Sequence, residues 1–221
     1  MLVEDVKDKL PEDLYKILSN EFKEFRPSQE KSINAGLLEN KNLLVCTPTA
    51  SGKTLVGEMA LIKTIMEGRG KAIYLAPLKA LAQEKFKQFK EKYKGLIRVA
   101  QSIGDKDSSD SRLEEYDLII CTFEKLDSLI RHKPAWLSYI KTIVVDEIHL
   151  LNDNSRGPVV EIVLTIMRNM IKDMQIIGLS ATIGNPKELA SWLNAELVED
   201  SWRPVKLKKG IFSNEILEFY D

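Results

Sequence analysis

The segment from Thr47 to Thr54 contains residue types that bind phosphate groups. It has the sequence Thr-Pro-Thr-Ala-Ser-Gly-Lys-Thr and lies between an apolar run and a helix-like run. Backbone N–H groups of such a loop and of the next helix N-terminus point towards an anion, and the helix dipole favours negative charge there. Lys53 would reach the β- and γ-phosphates of a nucleotide, and the Thr54 hydroxyl would hold Mg²⁺. Because Thr47 replaces the first glycine of the usual pattern and Gly-Lys-Thr is common, this segment alone leaves nucleotide binding undecided. The candidate phosphate-binding residues are Thr49, Ala50, Ser51, Gly52, Lys53 and Thr54.

Two further segments place polar side chains directly after apolar runs. Asp146 and Glu147 follow one such run, with His149 two residues later, and Ser180 and Thr182 end another. Adjacent carboxylates at the end of a buried strand are costly unless a cation balances them. The pair therefore favours a cation site, with Mg²⁺ as the candidate, over a simple turn. The hydroxyls of Ser180 and Thr182 have an alternative role as caps of the next helix.

Apolar runs alternate with helix-like stretches along most of the chain. The runs are continuous, as expected of parallel strands covered on both faces. The predicted strands are Asn42–Cys46, Ala72–Ala76, Ile97–Ser102, Leu118–Thr122, Thr142–Asp146 and Gln175–Leu179. The predicted helices are Ser28–Leu38, Lys53–Glu67, Leu78–Lys94, Phe123–Arg131 and Pro158–Lys172. This order predicts an α/β fold with a mainly parallel sheet and helices on both faces, whose ligands bind beyond the carboxyl ends of the strands.

The lysine-rich helix predicted from Leu78 to Lys94 carries an apolar stripe. Leu78, Ala82, Phe86, Phe89 and Tyr93 are spaced three or four residues apart. Such spacing predicts aromatic side chains that face the core and lysines that face solvent, rather than a platform for stacking bases.

The composition is that of an ordinary globular protein. Of its 221 residues, 44% are hydrophobic and 29% charged, and 32 basic against 33 acidic residues give a net charge of −1. Any contact with nucleic acid must therefore come from a local patch. The first ten residues lack the apolar core of a secretory signal, and no apolar run is long enough to span a bilayer, so we expect a cytoplasmic protein with no membrane partner. Cys46 and Cys121 lack the paired spacing of a metal or redox site, which favours buried, reduced thiols.

The order of the three motifs resembles that of helicase superfamily 2. Gly-Lys-Thr at 52–54, Asp-Glu-Ile-His at 146–149 and Ser-Ala-Thr at 180–182 each stand at the end of a predicted strand, as in the DExH class. Pro-Leu-Lys-Ala-Leu-Ala at 77–82 and Trp-Arg-Pro-Val at 202–205 are similar to segments of its Ski-like branch. The resemblance implies a RecA-like P-loop domain of an ATP-dependent DNA helicase. Archaeal DNA-repair helicases of this branch unwind forked DNA in the 3′-to-5′ direction.

The resemblance assigns catalytic roles to the predicted nucleotide site. It implies that Asp146 holds Mg²⁺ together with Thr54, that Lys53 binds the phosphates of ATP, and that Glu147 activates the attacking water. It also implies a set of residues that couple ATP hydrolysis to motion, namely His149, Ser180 and Thr182.

An upstream segment, Phe25-Arg-Pro-Ser-Gln29, resembles the Q motif with which this superfamily recognises adenine. The resemblance implies that Gln29 contacts the edge of the base and that Phe25 stacks on it. The alternative is that Ser28 caps the helix that begins here and Phe25 is an ordinary core residue.

Other segments resemble the family's motifs that touch the phosphodiester backbone of single-stranded nucleic acid. Such contacts position a strand without reading its sequence. A weaker match, Gly104-Asp105, begins a polar loop that runs to Asp110. The candidate nucleic-acid residues are Pro77, Lys79, Gly104, Thr122, Lys125 and Arg156.

The resemblance also predicts the domain organisation. We expect an N-terminal helical extension over 1–24, the first RecA-like domain over 25–210, and over 211–221 the start of a segment that leads to a second RecA-like domain. In this superfamily the second domain supplies arginine fingers, and nothing after Thr182 resembles its motifs.

Three alternatives remain open from the sequence alone. RNA helicases of the same branch share these motifs, so RNA is an alternative to DNA. A P-loop switch module would bind nucleotide without mechanical work and would not need Ser-Ala-Thr. A P-loop kinase gives no reason for Asp-Glu-Ile-His.

Overall fold

A computed structural model of the chain describes residues 1–104, 111–205, 208–213 and 216–220. The predicted polar loop lies outside the described residues after Gly104, so Asp105 of the weaker nucleic-acid match is outside them as well. Within the described residues, no helix is both long enough and apolar enough to cross a membrane.

Seven parallel strands form the main sheet, and a separate antiparallel pair follows it. The strands of the main sheet are β1 (Leu43–Cys46), β2 (Lys71–Ala76), β3 (Val99–Ser102), β4 (Leu118–Thr122), β5 (Ile140–Val145), β6 (Gln175–Ser180) and β7 (Glu196–Glu199). The pair is β8 (Lys209–Ser213) and β9 (Ile216–Tyr220). The spatial order of the main sheet is β3-β4-β2-β5-β6-β1-β7. The predicted parallel sheet is therefore confirmed.

Helices connect the strands. The α-helices are α1 (Glu12–Glu21), α2 (Pro27–Asn34), α3 (Lys53–Met66), α4 (Lys79–Lys92), α5 (Phe123–His132), α6 (Gly157–Met170) and α7 (Pro186–Leu193). Short 3-10 helices cover Val3–Lys9, Ser111–Glu115, Ala135–Tyr139 and Ile148–Asn152.

The sheet separates two hydrophobic cores because successive strand residues point to opposite faces. Leu43 and Val45 of β1 lie in one core with residues of α3 and α4, whereas Leu44 and Cys46 lie in the other with residues of α5, α6 and α7. The central strands are buried on both faces, which explains why their sequences are continuous apolar runs.

The N-terminal residues contribute to the first of these cores. Val3, Val6, Leu14 and Leu18 are buried in the same cluster as Leu61 of α3. Lys92 of α4 reaches Glu21 of α1 at 2.6 Å.

Among the α-helices and strands of the described chain, four were not predicted: α7, β7, β8 and β9. β7 is an edge strand with the sequence Glu-Leu-Val-Glu, of which only Val198 is buried. Its alternating pattern carries too little apolar signal to stand out in a sequence. The strand predicted from Ile97 begins only at Val99, because the Arg98 N–H donates to the Asp117 carboxylate at 2.8 Å instead of to a neighbouring strand.

Candidate functional site

The phosphate loop lies beyond the carboxyl end of β1 and ends where α3 begins at Lys53. Gly52 has a φ of 91°, in the left-handed region that favours glycine, and a Cβ there would lie 2.6 Å from Gln29 Nε2. Thr47, which stands where the usual pattern has glycine, is fully buried, and its hydroxyl is 2.8 Å from that of Ser51. The departure from the pattern thus adds a hydrogen bond within the loop. Of the remaining loop residues, Thr49 and Ala50 are exposed and Thr54 is half-buried.

Lys53 places an ammonium group in a buried position without a hydrogen bond. Its Nζ has no hydrogen-bond partner among the described residues, and a Glu147 carboxylate oxygen lies 3.5 Å away. A buried charge is costly unless it is paired and hydrogen-bonded. The position therefore fits a site completed by an anion such as a phosphate group.

Asp146 and Glu147 follow β5 near the centre of the sheet. The Tyr74 hydroxyl donates to Asp146 Oδ2 at 2.6 Å, and the Glu147 N–H donates to Asp146 Oδ1 at 3.1 Å. Glu147 has a φ of 51°, a left-handed conformation that is strained for a residue with a side chain. One Glu147 carboxylate oxygen faces Lys53, and the other lies 3.3 Å from His149 Nδ1. The structure thus brings Lys53, Glu147 and His149 together.

The Ser-Ala-Thr segment touches the phosphate loop through its backbone. Ser180 ends β6, is fully buried, and its carbonyl accepts from the Thr47 N–H at 3.2 Å. Thr182 is exposed. Among the described residues, the Ser180 hydroxyl has no hydrogen-bond partner, so it is not hydrogen-bonded to His149.

Gln29 uses its side-chain amide to hold the phosphate loop. Its Nε2 donates to the Gly52 carbonyl at 3.0 Å, and its Oε1 accepts from the Arg26 N–H at 2.9 Å. Phe25 is only 5% exposed and belongs to the core, although it also borders a surface cavity of about 740 Å³.

Sequence reasoning missed two residues beside this segment. The Arg26 guanidinium donates to the Ala50 carbonyl at 3.0 Å and lies 5.7 Å from the centre of the Trp202 ring. Arg26 belongs to the segment that resembles the Q motif, and Trp202 belongs to the Trp-Arg-Pro-Val segment. No local signal shows that they meet, because 176 positions separate them in the chain.

The predicted nucleic-acid residues converge on one cavity beyond the ends of β2, β3 and β4. This cavity has a volume of about 500 Å³, and all of the candidates line it: Pro77, Lys79, Gly104, Thr122, Lys125 and Arg156. The Arg156 guanidinium donates to the Pro77 carbonyl at 3.1 Å, which joins the start of α6 to the end of β2. The Thr122 hydroxyl accepts from the Lys125 N–H at 3.4 Å and caps α5.

Both thiols are buried and free, as predicted. Burial raises the pKa of Cys46 to about 11 and that of Cys121 to about 12. Both groups are therefore protonated and unreactive at neutral pH. Among the described residues, no cluster of histidine, cysteine and carboxylate side chains could hold a metal ion without other ligands.

The fold and the arrangement of the motifs define a class of protein. A family model for DEAD/DEAH box helicases matches residues 26–189, and the chain belongs to this helicase family. The resemblance to superfamily 2 is therefore confirmed.

The chain is similar in sequence to archaeal helicases. The chain is 57% identical over 203 residues to the ATP-dependent DNA helicase Hel308 of Methanocaldococcus jannaschii, covering 89% of this chain and 17% of that protein. It is 52% identical over 189 residues to Hel308 of Pyrococcus abyssi, covering 86% of this chain and 26% of that protein. The chain therefore spans about a quarter or less of the length of these relatives.

Solved helicase structures share the fold. The DUF1998 helicase MrfA, solved bound to DNA and AMPPNP, matches with a TM-score of 0.76 and 28% identity, over 88% of this chain and 30% of that one. The Mycobacterium smegmatis helicase Lhr, bound to single-stranded DNA and AMP-PNP, matches with a TM-score of 0.71 and 27% identity, over 86% and 27%.

Proposed function

We propose that this chain is the first motor domain of an ATP-dependent DNA helicase, which binds Mg²⁺-ATP and one strand of nucleic acid. One observation carries the proposal: both candidate sites lie side by side along one edge of the sheet. Nucleotide-site residues follow β1, β5 and β6, and the nucleic-acid cavity lies beyond β2, β3 and β4. In the spatial order of the strands, these sets occupy adjacent halves.

The phosphate groups of ATP would complete the buried environment of Lys53. Thr54 and Asp146 would hold Mg²⁺, since a hydroxyl and a carboxylate are oxygen ligands of the kind this ion prefers. When bound, the ion neutralises charge that develops on the transferred phosphoryl group. Glu147 would accept a proton from the attacking water. Its neighbour His149, together with Ser180 and Thr182, would couple ATP hydrolysis to motion.

Adenine would be recognised at Gln29. A glutamine amide has two donor hydrogens and two acceptor lone pairs. Its contacts with Gly52 and Arg26 use one of each, so one donor and one acceptor remain for the edge of a base. Phe25 is too deeply buried to offer its whole face, and only an edge of its ring would meet the base.

The cavity residues would hold the sugar-phosphate backbone. A lysine, an arginine, a hydroxyl and the N-terminus of α5 are the groups that make such contacts without reading sequence. We favour DNA because the Hel308 relatives are DNA helicases and the MrfA and Lhr structures contain DNA. The resemblance to archaeal DNA-repair helicases of the Ski-like branch extends this proposal to forked DNA as substrate, 3′-to-5′ polarity and a partner RecA-like domain.

Two lysines of α3 provide a matched test. Lys53→Met removes the buried ammonium at the phosphate loop, whereas Lys63→Met removes a buried lysine that pairs with Glu67 at 2.6 Å on the same helix. Calorimetric titration with Mg²⁺-ADP should show weak binding that Lys53→Met abolishes and Lys63→Met preserves. Thermal unfolding of both variants should show that each remains folded at the temperature of the titration, which separates a loss of binding from a loss of structure. Equal nucleotide affinity in both variants would overturn the proposal.

A further inference from the structure

We infer that Tyr74 is a positioning residue that orients the Asp146 carboxylate for its metal ion. The inference rests on the proposed nucleotide site and adds a residue that the three motifs do not contain. Tyr74 lies in β2, and Asp146 directly follows β5, the parallel strand that pairs with β2.

The contacts fix the Asp146 carboxylate at both oxygens. Oδ2 accepts from the Tyr74 hydroxyl at 2.6 Å, and Oδ1 accepts from the Glu147 N–H at 3.1 Å. The backbone is held as well, since the Asp146 N–H donates to the Leu75 carbonyl at 2.9 Å. Rotation of the carboxylate would therefore break a hydrogen bond in a largely buried site.

A phenol suits this position for a chemical reason. It donates one strong hydrogen bond to a carboxylate but, unlike lysine or arginine, does not neutralise the charge that a metal ion needs. A carboxylate has about four lone-pair sites, so two hydrogen bonds leave two for a metal ion or its water molecules. A phenol has an ordinary pKa of about 10, so it is a donor at neutral pH.

The aromatic ring is fixed by its neighbours. Tyr74 is fully buried, and its ring centre lies 5.9 Å from that of Phe89 in a tilted arrangement. The hydroxyl thus cannot follow the carboxylate if that group turns. Groups that hydrogen-bond to metal ligands orient them, and their loss typically lowers metal affinity or activity by about 10- to 100-fold.

Tyr93 provides a matched control. It is also fully buried and stacks on Phe89 at 6.1 Å, and its hydroxyl also donates to a carboxylate, that of Glu58 at 2.5 Å. Replacement of either tyrosine by phenylalanine removes the same atom from the same core. Of these two tyrosines, Tyr74 donates to Asp146, whereas Tyr93 donates to Glu58.

The experiment is a calorimetric titration of ADP at increasing Mg²⁺ concentration, with thermal unfolding of every variant. Tyr74→Phe should raise the Mg²⁺ concentration needed for half-maximal enhancement by about 10- to 100-fold, with unchanged affinity for metal-free ADP. Tyr93→Phe should leave the Mg²⁺ dependence unchanged while losing similar stability. In an Asp146→Asn background, Tyr74→Phe should have no further effect on the Mg²⁺ dependence.

The outcomes separate the two proposals. If the wild-type chain shows Lys53- and Mg²⁺-dependent binding but Tyr74→Phe behaves like Tyr93→Phe, the positioning role is refuted and the nucleotide site stands. If the wild-type chain shows no such binding, the proposed function fails and the role of Tyr74 falls with it. Should Tyr74→Phe not fold, proton NMR of the wild-type chain decides. The Tyr74 hydroxyl signal must shift when Mg²⁺ is added to the ADP complex, and an unchanged signal overturns the inference.

Discussion

The side-chain Nε2 of Gln29 donates to the backbone carbonyl of Gly52 at 3.0 Å, which ties the start of α2 to the phosphate loop. Gln29 is 4% exposed, so its amide is a structural part of the loop in addition to its proposed role in binding a base. The proposed recognition of adenine and the shape of the phosphate loop would therefore depend on the same side chain.

We predict that Gln29→Ala weakens the binding of ATP and also reduces the preference for ATP over GTP. The change leaves the Arg26 N–H and the Gly52 carbonyl without their partner, at a cost of about 1–3 kcal/mol in unfolding free energy for each group that stays buried. Calorimetry with both nucleotides and urea unfolding would measure the two effects. Gln29→Glu is a second variant, which keeps the acceptor for Arg26 but replaces the donor by a negative charge beside the phosphate loop. If the wild-type chain binds ATP and GTP equally well, Gln29 does not recognise the base.

Two arginines of α6 test the nucleic-acid cavity. Arg156 lines the cavity and donates to the Pro77 carbonyl, whereas Arg168 lies outside it and donates to the Trp192 carbonyl at 2.5 Å. We predict that Arg156→Ala weakens the binding of single-stranded DNA and lowers the salt slope by about 0.7 if it contacts one phosphate. Arg168→Ala should change neither quantity. Fluorescence anisotropy at several salt concentrations is the measurement, and equal effects of both variants would exclude the cavity as the binding site.

The chain by itself should not unwind DNA or hydrolyse ATP at an appreciable rate. In the family the arginine fingers come from a second domain, and loss of such a finger costs about 10³–10⁵ in rate. Translocation also needs two domains that close on ATP and open after hydrolysis. Glu147→Gln should consequently change little here, while the equivalent change in a full-length Hel308 relative should abolish turnover. A multiple-turnover ATPase assay with and without single-stranded DNA is the test, and DNA-stimulated hydrolysis that requires Glu147 would show that the chain is self-sufficient.

The buried thiols predict a loss of stability at alkaline pH. The folded-state pKa of Cys46 is raised to about 11, above the value of about 8.5 for a free thiol. The folded state therefore holds this proton more tightly, so stability is fully present below about pH 8.5 and is lost as pH rises towards 11. Cys121 acts in the same direction. Urea unfolding at rising pH should show a decline that Cys46→Ala and Cys121→Ala make shallower. Rapid labelling of the native thiols by a thiol reagent at neutral pH would contradict their burial.

The sequence predicted the elements that are buried on both sides and the residues at their ends. Continuous apolar runs identified the six strands that carry the motifs, and the apolar stripe correctly placed Phe89 and Tyr93 in the core. The stripe also included Leu78, which precedes α4 and is 46% exposed. The candidates for nucleic-acid binding came from separate segments and share one cavity because parallel strands bring their carboxyl ends to the same edge of the sheet.

The contacts between segments could not be predicted in this way. In the sequence, Tyr74 looks like any other residue of an apolar strand. Only the pairing of β2 with β5 shows that its hydroxyl donates to Asp146. The bond from Gln29 to Gly52 likewise depends on where α2 lies against the loop. The edge strand β7 was not predicted because one side of it faces solvent, so its sequence contains few apolar residues.

The adjacency of β2 and β5 has a mechanical consequence. Neighbouring strands of a sheet lie about 4.8 Å apart, so the proposed ATP and DNA sites meet at a single border that is closed by backbone hydrogen bonds and by the Arg156–Pro77 contact. A border of this kind has no hinge. A displacement of β2 would therefore also displace β5, and the reverse. The domain should therefore move as one rigid body during an ATP cycle, and in the proposed motor the relative motion would take place between this body and a second domain.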